Sequence, residues 1–351
     1  MLLRETFTEE HIRDLQKNSH RDPLLLERTI YAFGLLEALT QVGMPFVFKG
    51  GTCLMLLMDC PRRLSTDIDI VVEPGMDLEK YLSRASEIFP FKEIEEQKRI
   101  RKNNIEKRHF KFIYDSPVNG RLSYILLDVL FERNLYSELV QKAIQNELLL
   151  SKPEYLNVSL PSTNCILADK LTAFAPHTTG VPLNMGKDME VAKQFYDVSS
   201  LLDVFTDFKQ VSSTYEGIVQ MEIDYQGIKS NREDCLWDTF DSALCIASRG
   251  KEEKEEYPAY VKGVRELRGH IYTENYTPEI AALRAVRIMY MALCLLSNTE
   301  YVRIGDFKEL VDSKIENARL DSLRYIRKVD MEAYAYVIKT DRLLTEMQHC
   351  D

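Results

Sequence analysis

Strand-type and helix-type sequence patterns occupy separate parts of this chain, and that separation constrains its fold most. Short runs rich in Val, Ile, Phe and Tyr predict strands over 46–49, 67–73, 91–102, 107–114, 121–132 and 156–160. After Pro161, helical spacing of apolar residues predicts helices over 163–175, 187–205, 207–228, 232–249, 256–269, 277–297 and 330–346. An earlier helix is predicted over 24–42, with Asp22 as its N-cap and Pro23 in its first turn. The pattern predicts the α+β class, with a mixed sheet and flanking helices over 1–160 and an all-helical lobe over 161–351.

The acidic composition limits what the whole surface could bind. The 351 residues carry a formal net charge of −10, whereas general nucleic-acid binders are usually basic. No stretch approaches the ~20 apolar residues of a membrane-spanning helix, and the first residues lack the apolar core of a signal peptide. The seven cysteines form no CxxC pair, which favours reduced thiols. We therefore expect a cytoplasmic protein with no membrane partner, in which any RNA contact comes from a local basic patch.

Two aspartates stand one residue apart in the predicted strand 67–73. Because successive strand side chains point to opposite faces, Asp67 and Asp69 share one face and Ile68 faces the other. Close carboxylates repel each other unless a cation lies between them, and Mg²⁺ takes one or two carboxylates together with phosphate oxygens. A third acid, Asp128, lies alone in an apolar strand, where burial without a partner would cost several kcal/mol. The three acids are therefore candidate metal ligands. The alternatives are solvated acids at a strand-end turn for Asp67 and Asp69, and a structural hydrogen-bonded role for Asp128.

A glycine pair ahead of this strand is typical of a phosphate-binding turn. Gly50 and Gly51 follow a predicted strand and precede a short helical run. Glycines at such a turn let backbone N–H groups approach phosphates. The hydroxyls of Thr52 and Ser65 would add donors, although a plain tight turn and a loop cap are the alternatives at these positions.

The glycine pair, the two aspartates of the next strand and the separate strand aspartate Asp128, in this order, resemble the polymerase-β-type nucleotidyltransferase superfamily. Lys-Gly-Gly-Thr at 49–52, followed by Arg-Leu-Ser-Thr-Asp-Ile-Asp at 63–69, resembles more narrowly the AbiEii/AbiGii toxin family. That family includes the toxins of type IV toxin–antitoxin and phage abortive-infection systems.

Two later segments extend the resemblance. Asp-Lys-Leu-Thr-Ala at 169–173 is similar to the family's Asp-Lys-x-x-Ala motif, and Lys-Gln-Phe-Tyr-Asp-Val at 193–198 is similar to its last motif. In the last motif Gln194 stands where the family often has aspartate, whereas Asp197 keeps its place. The resemblance covers residues 45–205, and the rest of the chain matches only in being helical.

The resemblance implies a Mg²⁺-dependent enzyme that transfers a nucleoside monophosphate from an NTP to an acceptor and releases pyrophosphate. It implies an RNA acceptor, the 3′ end of a tRNA, with GTP or a pyrimidine triphosphate as donor and a cognate antitoxin as a possible partner. Asp128 would take the proton of the acceptor hydroxyl or share a second metal ion, Lys170 would neutralise phosphate charge, and Asp197 would position Lys170 or the nucleotide. By the same resemblance, the catalytic residues are Asp67, Asp69, Asp128, Lys170 and Asp197, of which the first three bind metal, and the nucleotide-binding residues are Gly50, Gly51, Thr52 and Ser65.

A basic segment lies in the predicted hairpin that turns at 103–104. Such a patch attracts RNA phosphates even on an acidic protein, and a solvated edge that resists strand aggregation is the alternative. The predicted RNA contacts are Arg99, Arg101, Lys102, Lys107 and Arg108.

Several of these side chains have a purely structural alternative. Lys170 could run along an apolar helix face, and Lys193 and Asp197 could form a surface ion pair worth a few tenths of a kcal/mol. His177, in an uncharged loop, could contact a base or ribose or serve only the loop. Arg63 stays outside the catalytic set because a surface or helix-docking role explains it equally well.

Two other functions remain open on the sequence alone. The same chemistry could act on a small molecule or a protein, or the chain could be a non-catalytic module that binds nucleotide or RNA. The basic hairpin favours an RNA acceptor, and the presence of all three acids argues against a non-catalytic module.

Overall fold

The computed structural model describes residues 1–58, 60–97 and 106–350. They form two compact units: the first contains Met1–Ser162 and Gly269–Glu274, and the second contains Thr163–Arg268 and the chain from Asn275 onward. The segment Gly269–Glu274 lies between two parts of the second unit in the sequence but belongs to the first unit, where a β-bridge joins Ile271 to Arg63. No sequence pattern indicates that the chain comes back to the first unit here.

A five-stranded mixed sheet forms the centre of the first unit. Its spatial order is β1-β2-β5-β4-β3, in which β2 and β5 are parallel and the other neighbours are antiparallel. The strands β6 and β7 form a separate antiparallel pair. The bounds are Val47–Lys49 (β1), Ile68–Val72 (β2), Glu93–Gln97 (β3), Glu106–Asp115 (β4), Leu122–Phe131 (β5), Leu139–Ala143 (β6) and Asn157–Pro161 (β7).

Strand alternation gives this sheet one buried face and one polar face. In β5, Ile125, Leu127 and Val129 are buried, and Asp128 points to the opposite side. The polar face carries Lys49, Asp69, Lys107, His109 and Asp128, which are placed there by this alternation and by the strand register.

A mostly apolar helix, α2, covers the buried face by packing against β2 and β5. There the ring of Tyr31 stacks on that of Tyr114, with centroids 3.8 Å apart. Glu27 is buried in this interface and accepts hydrogen bonds from the hydroxyls of Tyr114 (3.0 Å) and Ser116 (2.7 Å). The carboxylate is therefore partnered, as a buried polar group must be.

The helices of the first unit are short apart from α2. Asp22 caps α2 by accepting from the N–H groups of Leu24 and Leu25, with Pro23 in the first turn as the sequence predicts. The bounds are Glu9–Ser19 (α1), Pro23–Gln41 (α2), Gly50–Leu57 (α3) and Glu79–Ser86 (α4), and a 3₁₀ helix spans Arg4–Phe7.

The second unit is helical throughout its described elements. In it α10 packs against α8 and α12, α5 packs against α7, and α6 packs against α9. The bounds are Thr163–Ala173 (α5), Asp188–Leu201 (α6), Phe208–Gln226 (α7), Arg232–Ala247 (α8), Tyr257–Leu267 (α9), Pro278–Leu296 (α10), Lys308–Val311 (α11) and Met331–Cys350 (α12), with a 3₁₀ helix over Ala318–Lys328.

The predicted α+β class is confirmed, and so is every predicted helix. Each region that was predicted as a strand contains a strand among the described residues. The short elements α1, α4, α11 and β6 were not predicted. Among the described residues, no helix is both long and apolar enough to span a lipid bilayer.

Candidate active site

Four polar side chains form a row across the polar face of the sheet. The parallel register of β2 and β5 sets Asp69 opposite Asp128. On the outer sides, Lys49 of β1 pairs with Asp69 and His109 of β4 pairs with Asp128. We call Lys49, Asp69, Asp128 and His109 the polar row. Cross-strand partners lie close enough to interact, so two carboxylates stand side by side between two basic side chains.

The polar row borders a pocket of about 190 Å³. Nδ1–H of His109 donates a hydrogen bond of 2.6 Å to Oδ1 of Asp128. Lys107, two residues before His109 on the same face of β4, also lines the pocket, with Ile70, Val129 and Leu130 as its apolar wall. The pocket therefore combines two carboxylates with lysines that favour a negatively charged ligand.

The glycine turn packs directly against this row. Gly50 has φ +83°, and a Cβ built on it would overlap the carboxylate of Asp69, lying 2.7 Å from its Cγ. Glycine is thus needed both for the left-handed backbone and for the close approach of the acid. The turn also begins α3, and a helix N-terminus favours anions.

Two side chains lie close to the second glycine, Gly51. A Cβ on Gly51 would lie 2.6 Å from Nη2 of Arg63 and 2.8 Å from Oγ of Ser65. Arg63 is buried, so its guanidinium is held beside the start of α3 and not on the surface. The structure therefore brings the predicted residues Gly50, Gly51 and Ser65 together and adds Arg63 to them.

Thr52 has a different role from the predicted one. Its side chain is fully buried, and its hydroxyl donates a 2.6 Å hydrogen bond to the main-chain carbonyl of Asp67. That hydrogen bond fastens α3 to the start of β2. The prediction that this hydroxyl donates to phosphate is therefore not supported, because its hydrogen is already committed.

Two of the three predicted metal ligands are register partners in the sheet. Asp69 and Asp128 are neighbours, whereas the half-exposed carboxylate of Asp67 lies 3.6 Å from Nη2 of Arg28. Within 1–58, 60–97 and 106–350, no three His, Cys, Asp or Glu side chains are grouped as a metal site would require. The ligand set that the sequence predicts is thus present in part, as a pair of acids.

This pair nevertheless suits Mg²⁺. That ion is usually held by one or two carboxylates and completes its coordination with water and substrate phosphates, without an all-protein cage. The carboxylates of Asp69 and Asp128 supply such a donor set beside a turn suited to phosphate. The residues present therefore fit the implied metal.

In the second unit, the predicted residues Lys170 and Asp197 form a buried ion pair. Nζ of Lys170 lies 3.0 Å from Oδ2 of Asp197 and donates a 2.9 Å hydrogen bond to Oε1 of Gln194. Asp197 is only 1% exposed, so its charge depends on this partner. Where the family often has a second acid, Gln194 thus supplies a neutral acceptor to the same ammonium group.

His177, also in the second unit, belongs to a network of acids. Its Nδ1 lies 2.6 Å from Oδ1 of Asp238, and its Nε2 lies 2.7 Å from Oε1 of Glu256. Hydrogen bonding to Asp238, followed by that to Glu256, raises the pKa of His177 to about 9 despite partial burial. The ring is therefore a charged clamp on the loop after α5, which is the structural alternative for this residue.

The predicted RNA contacts fall into three groups. Arg99, Arg101 and Lys102 lie outside the described residues. Lys107 lies on the polar face and lines the pocket. Arg108 points to the other side of β4, where it bonds both carboxylate oxygens of Glu96 (2.8 and 3.0 Å) and lies 2.8 Å from Glu79. Since two acids already compensate its charge, the structure does not support Arg108 as an RNA contact.

Three residues of the site were not predicted: His109, Lys49 and Arg63. Lys49 and Arg63 belong to the motifs that carry the resemblance, so position in a motif was an available signal. For His109 the only signal was its alternation with Lys107 on one strand. Its register with Asp128 requires the strand order, which a single sequence does not provide.

A comparison with known protein families identifies a family that matches this chain. The family model described as "Nucleotidyl transferase AbiEii toxin, Type IV TA system" matches residues 35–270, about two thirds of the chain. The segment contains the polar row, the glycine turn and the Lys170–Asp197 pair. No curated protein matches the chain.

Three solved structures from this comparison are distantly similar to the chain. JHP933 from Helicobacter pylori is 15% identical with a TM-score of 0.46, covering 78% of this chain and 94% of its own. A candidate nucleotidyltransferase from H. pylori is 14% identical with a TM-score of 0.44, over 79% and 99%. An antigenic nucleotidyltransferase-like protein from Paracoccidioides brasiliensis is 17% identical with a TM-score of 0.36, over 56% and 89%. On the family match, the chain belongs to the AbiEii nucleotidyl transferase toxins of type IV toxin–antitoxin systems.

Proposed function

We propose that this nucleotidyltransferase transfers a nucleoside monophosphate from an NTP to a hydroxyl of RNA, with release of pyrophosphate. The observation that carries the proposal is the adjacency of Asp69 and Asp128 against the Gly50–Gly51 turn. Phosphoryl-type transfer is catalysed mainly by positioning and by charge neutralisation. One place on the sheet offers both a phosphate-binding turn and a pair of acids.

The proposed cofactor is Mg²⁺, held by Asp69 and Asp128. Asp67 is the nearest further candidate ligand along the chain, since it stands two residues before Asp69. When bound, the ion would neutralise triphosphate charge and increase the acidity of an attacking hydroxyl.

The chain's own groups would bind and orient the triphosphate. The N–H groups of Gly50 and Gly51 and the hydroxyl of Ser65 would donate to phosphate oxygens. Arg63 and Lys49, each beside this turn, would add positive charge. Asp128 would accept the proton of the acceptor hydroxyl. Lys170, held by Asp197, remains a proposed catalytic residue on the family resemblance.

An RNA acceptor is supported by other side chains on the polar face. Lys111 follows Lys107 and His109 on that face of β4, and its Nζ lies 4.4 Å from the ring centroid of Tyr124. Tyr124 is 41% exposed. An exposed aromatic ring beside ammonium groups is a common platform for single-stranded nucleic acid. We propose the 3′ end of tRNA as acceptor and GTP or a pyrimidine triphosphate as donor.

The family context supports the biological part of the proposal. A type IV toxin is expected to be paired with a cognate antitoxin, and we propose a cytoplasmic role in phage defence. The antitoxin would be encoded next to this chain.

The decisive experiment incubates the purified protein with each of four α-labelled NTPs, Mg²⁺ and total RNA. We expect label on small RNAs, with a preference for one NTP, and loss of label with EDTA or in Asp69→Asn. Label on protein alone would replace the RNA acceptor by a protein, and pyrophosphate release without labelled macromolecules would indicate a small molecule. Full activity of Asp69→Asn would overturn the proposed site.

A further inference from the structure

One member of the polar row has no role in the function proposed above. His109 is the register partner of Asp128, which in turn is the register partner of Asp69. Its ring is 13% exposed and lines the same pocket as both acids. The histidine therefore stands behind the proposed proton acceptor, on the side away from Asp69.

The hydrogen bond from His109 has a defined direction. A carboxylate only accepts, so Nδ1 of His109 carries the hydrogen that joins it to Oδ1 of Asp128 at 2.6 Å. Lys107 and Lys111 flank His109 on the same face of β4, and an ammonium cannot accept that hydrogen. The bond engages Oδ1, and Oδ2 of the same carboxylate is the oxygen that we assign to a metal ion or acceptor hydroxyl.

We propose that His109 is a positioning residue that fixes the rotation of the Asp128 carboxylate for nucleotidyl transfer. This inference rests on the proposed function. Without the hydrogen bond the carboxylate would rotate about its terminal torsion, which has only a broad preference. Partners that orient such acids typically contribute about 10–100-fold to activity.

Two substitutions separate positioning from a general loss of packing. In His109→Asn the amide nitrogen takes the place of Nδ1, whereas in His109→Gln it takes the place of Nε2. We expect kcat to fall about 10–100-fold in the Gln variant and much less in the Asn variant, with the KM for NTP unchanged in both. Equal losses in the two variants, no loss in either, or a change in KM alone would overturn the proposal.

A second measurement does not depend on turnover. The ring ¹⁵N signals of selectively labelled histidine, with His109 assigned by its absence in His109→Gln, report which nitrogen carries the hydrogen. We expect Nδ1–H in the wild type and a shift toward Nε2–H in Asp128→Ala; the same tautomer in both would contradict the contact. A wild type inactive on every acceptor would refute the proposed function, whereas an active wild type with equal Asn and Gln variants would refute only the role of His109.

Discussion

Two histidine–aspartate pairs in this protein share the same hydrogen bond and differ in everything around it. In each, Nδ1 of the imidazole lies 2.6 Å from Oδ1 of the aspartate: His109 with Asp128 in the first unit and His177 with Asp238 in the second. The geometry of the bond therefore cannot distinguish a functional pair from a structural one. The remaining contacts of each carboxylate can.

The Asp238 pair is a closed network. Asp238 is 4% exposed, and its oxygens also accept from the main-chain N–H of His177 and the hydroxyls of Thr178 and Ser242. The second ring nitrogen of His177 is bonded to Glu256. Every part of this pair is engaged within the second unit, as a structural clamp requires.

The Asp128 pair faces a pocket. Asp128 is 32% exposed and has a second carboxylate, Asp69, as its neighbour on β2. Placing two acids together is unfavourable unless a cation offsets the repulsion, so stability alone does not explain the arrangement. In the Asp128 pair the carboxylate lines a pocket beside a second acid, and for this reason we propose the functional role for this pair.

The largest effect is expected for Gly50→Ala, which should lower kcat by about 100-fold because it displaces Asp69. Gly120→Ala is the matched control, since Gly120 also has positive φ (+67°) but faces open space. The control should lose about 1 kcal/mol of stability and keep its activity. Activity is measured as initial rates. Equal losses in the two variants would show that Gly50→Ala does not act through its contact with Asp69.

The structural pair should respond in the opposite way. Asp238→Ala leaves the donors around it unpaired in a buried place and should lower the free energy of unfolding by about 3 kcal/mol. Urea denaturation measures this loss, and Asp312→Ala, at an exposed ion pair, should change stability by less than about 0.5 kcal/mol. A stable Asp238→Ala protein that has lost activity would reverse the assignment of the two pairs.

The clamp should also depend on pH. The pKa of His177 is raised from 6.5 to about 9 in the folded protein, so its stabilising contribution is complete below pH 6.5 and is lost as the pH rises through about 9. Because the ring is nearly half exposed, solvent screening limits the effect to about 1 kcal/mol. Unfolding free energies of wild type and His177→Gln should converge between pH 7 and 10, and a gap that widens there would contradict the clamp.

The smallest expected effect compares adjacent residues on the two faces of β4. Lys107→Gln should reduce the slope of log K against log salt for RNA binding by about one. Arg108→Gln should leave the slope unchanged, because Glu79 and Glu96 already compensate its charge. Filter binding at several salt concentrations measures both, and equal slopes for the two variants would place the RNA elsewhere.

Much of the fold could be predicted from local patterns because these act over a few residues. Asp22 and Pro23 fix the start of α2, and alternation fixes which face of β5 carries Asp128. The two-residue spacing of Asp67 and Asp69 could be read in the same way. Elements with weak periodicity, such as the five-residue strand β6, left no comparable signal.

The rest of the site depends on pairing between distant segments. Asp69 and Asp128 meet because β2 and β5 are parallel neighbours, which no local pattern states. The partners of Asp128 and Asp67, His109 and Arg28, follow from the same long-range arrangement. Alternation predicts a shared face for Asp67 and Asp69 but not the direction in which each carboxylate turns, so the meeting of all three acids at one metal ion stays a prediction.

The most direct test measures initial rates of nucleotide transfer for the wild type, Asp69→Asn, Asp128→Asn and Asp238→Asn, each scaled to its folded fraction. If the paired acids of the sheet form the catalytic centre, Asp69→Asn and Asp128→Asn should lose activity by about 1000-fold, with a melting temperature that does not fall. For Asp238→Asn we expect a lower melting temperature and a nearly normal rate. If Asp128→Asn kept its rate while Asp238→Asn lost it, the catalytic centre would lie in the helical unit and the sheet acids would have no part in the reaction.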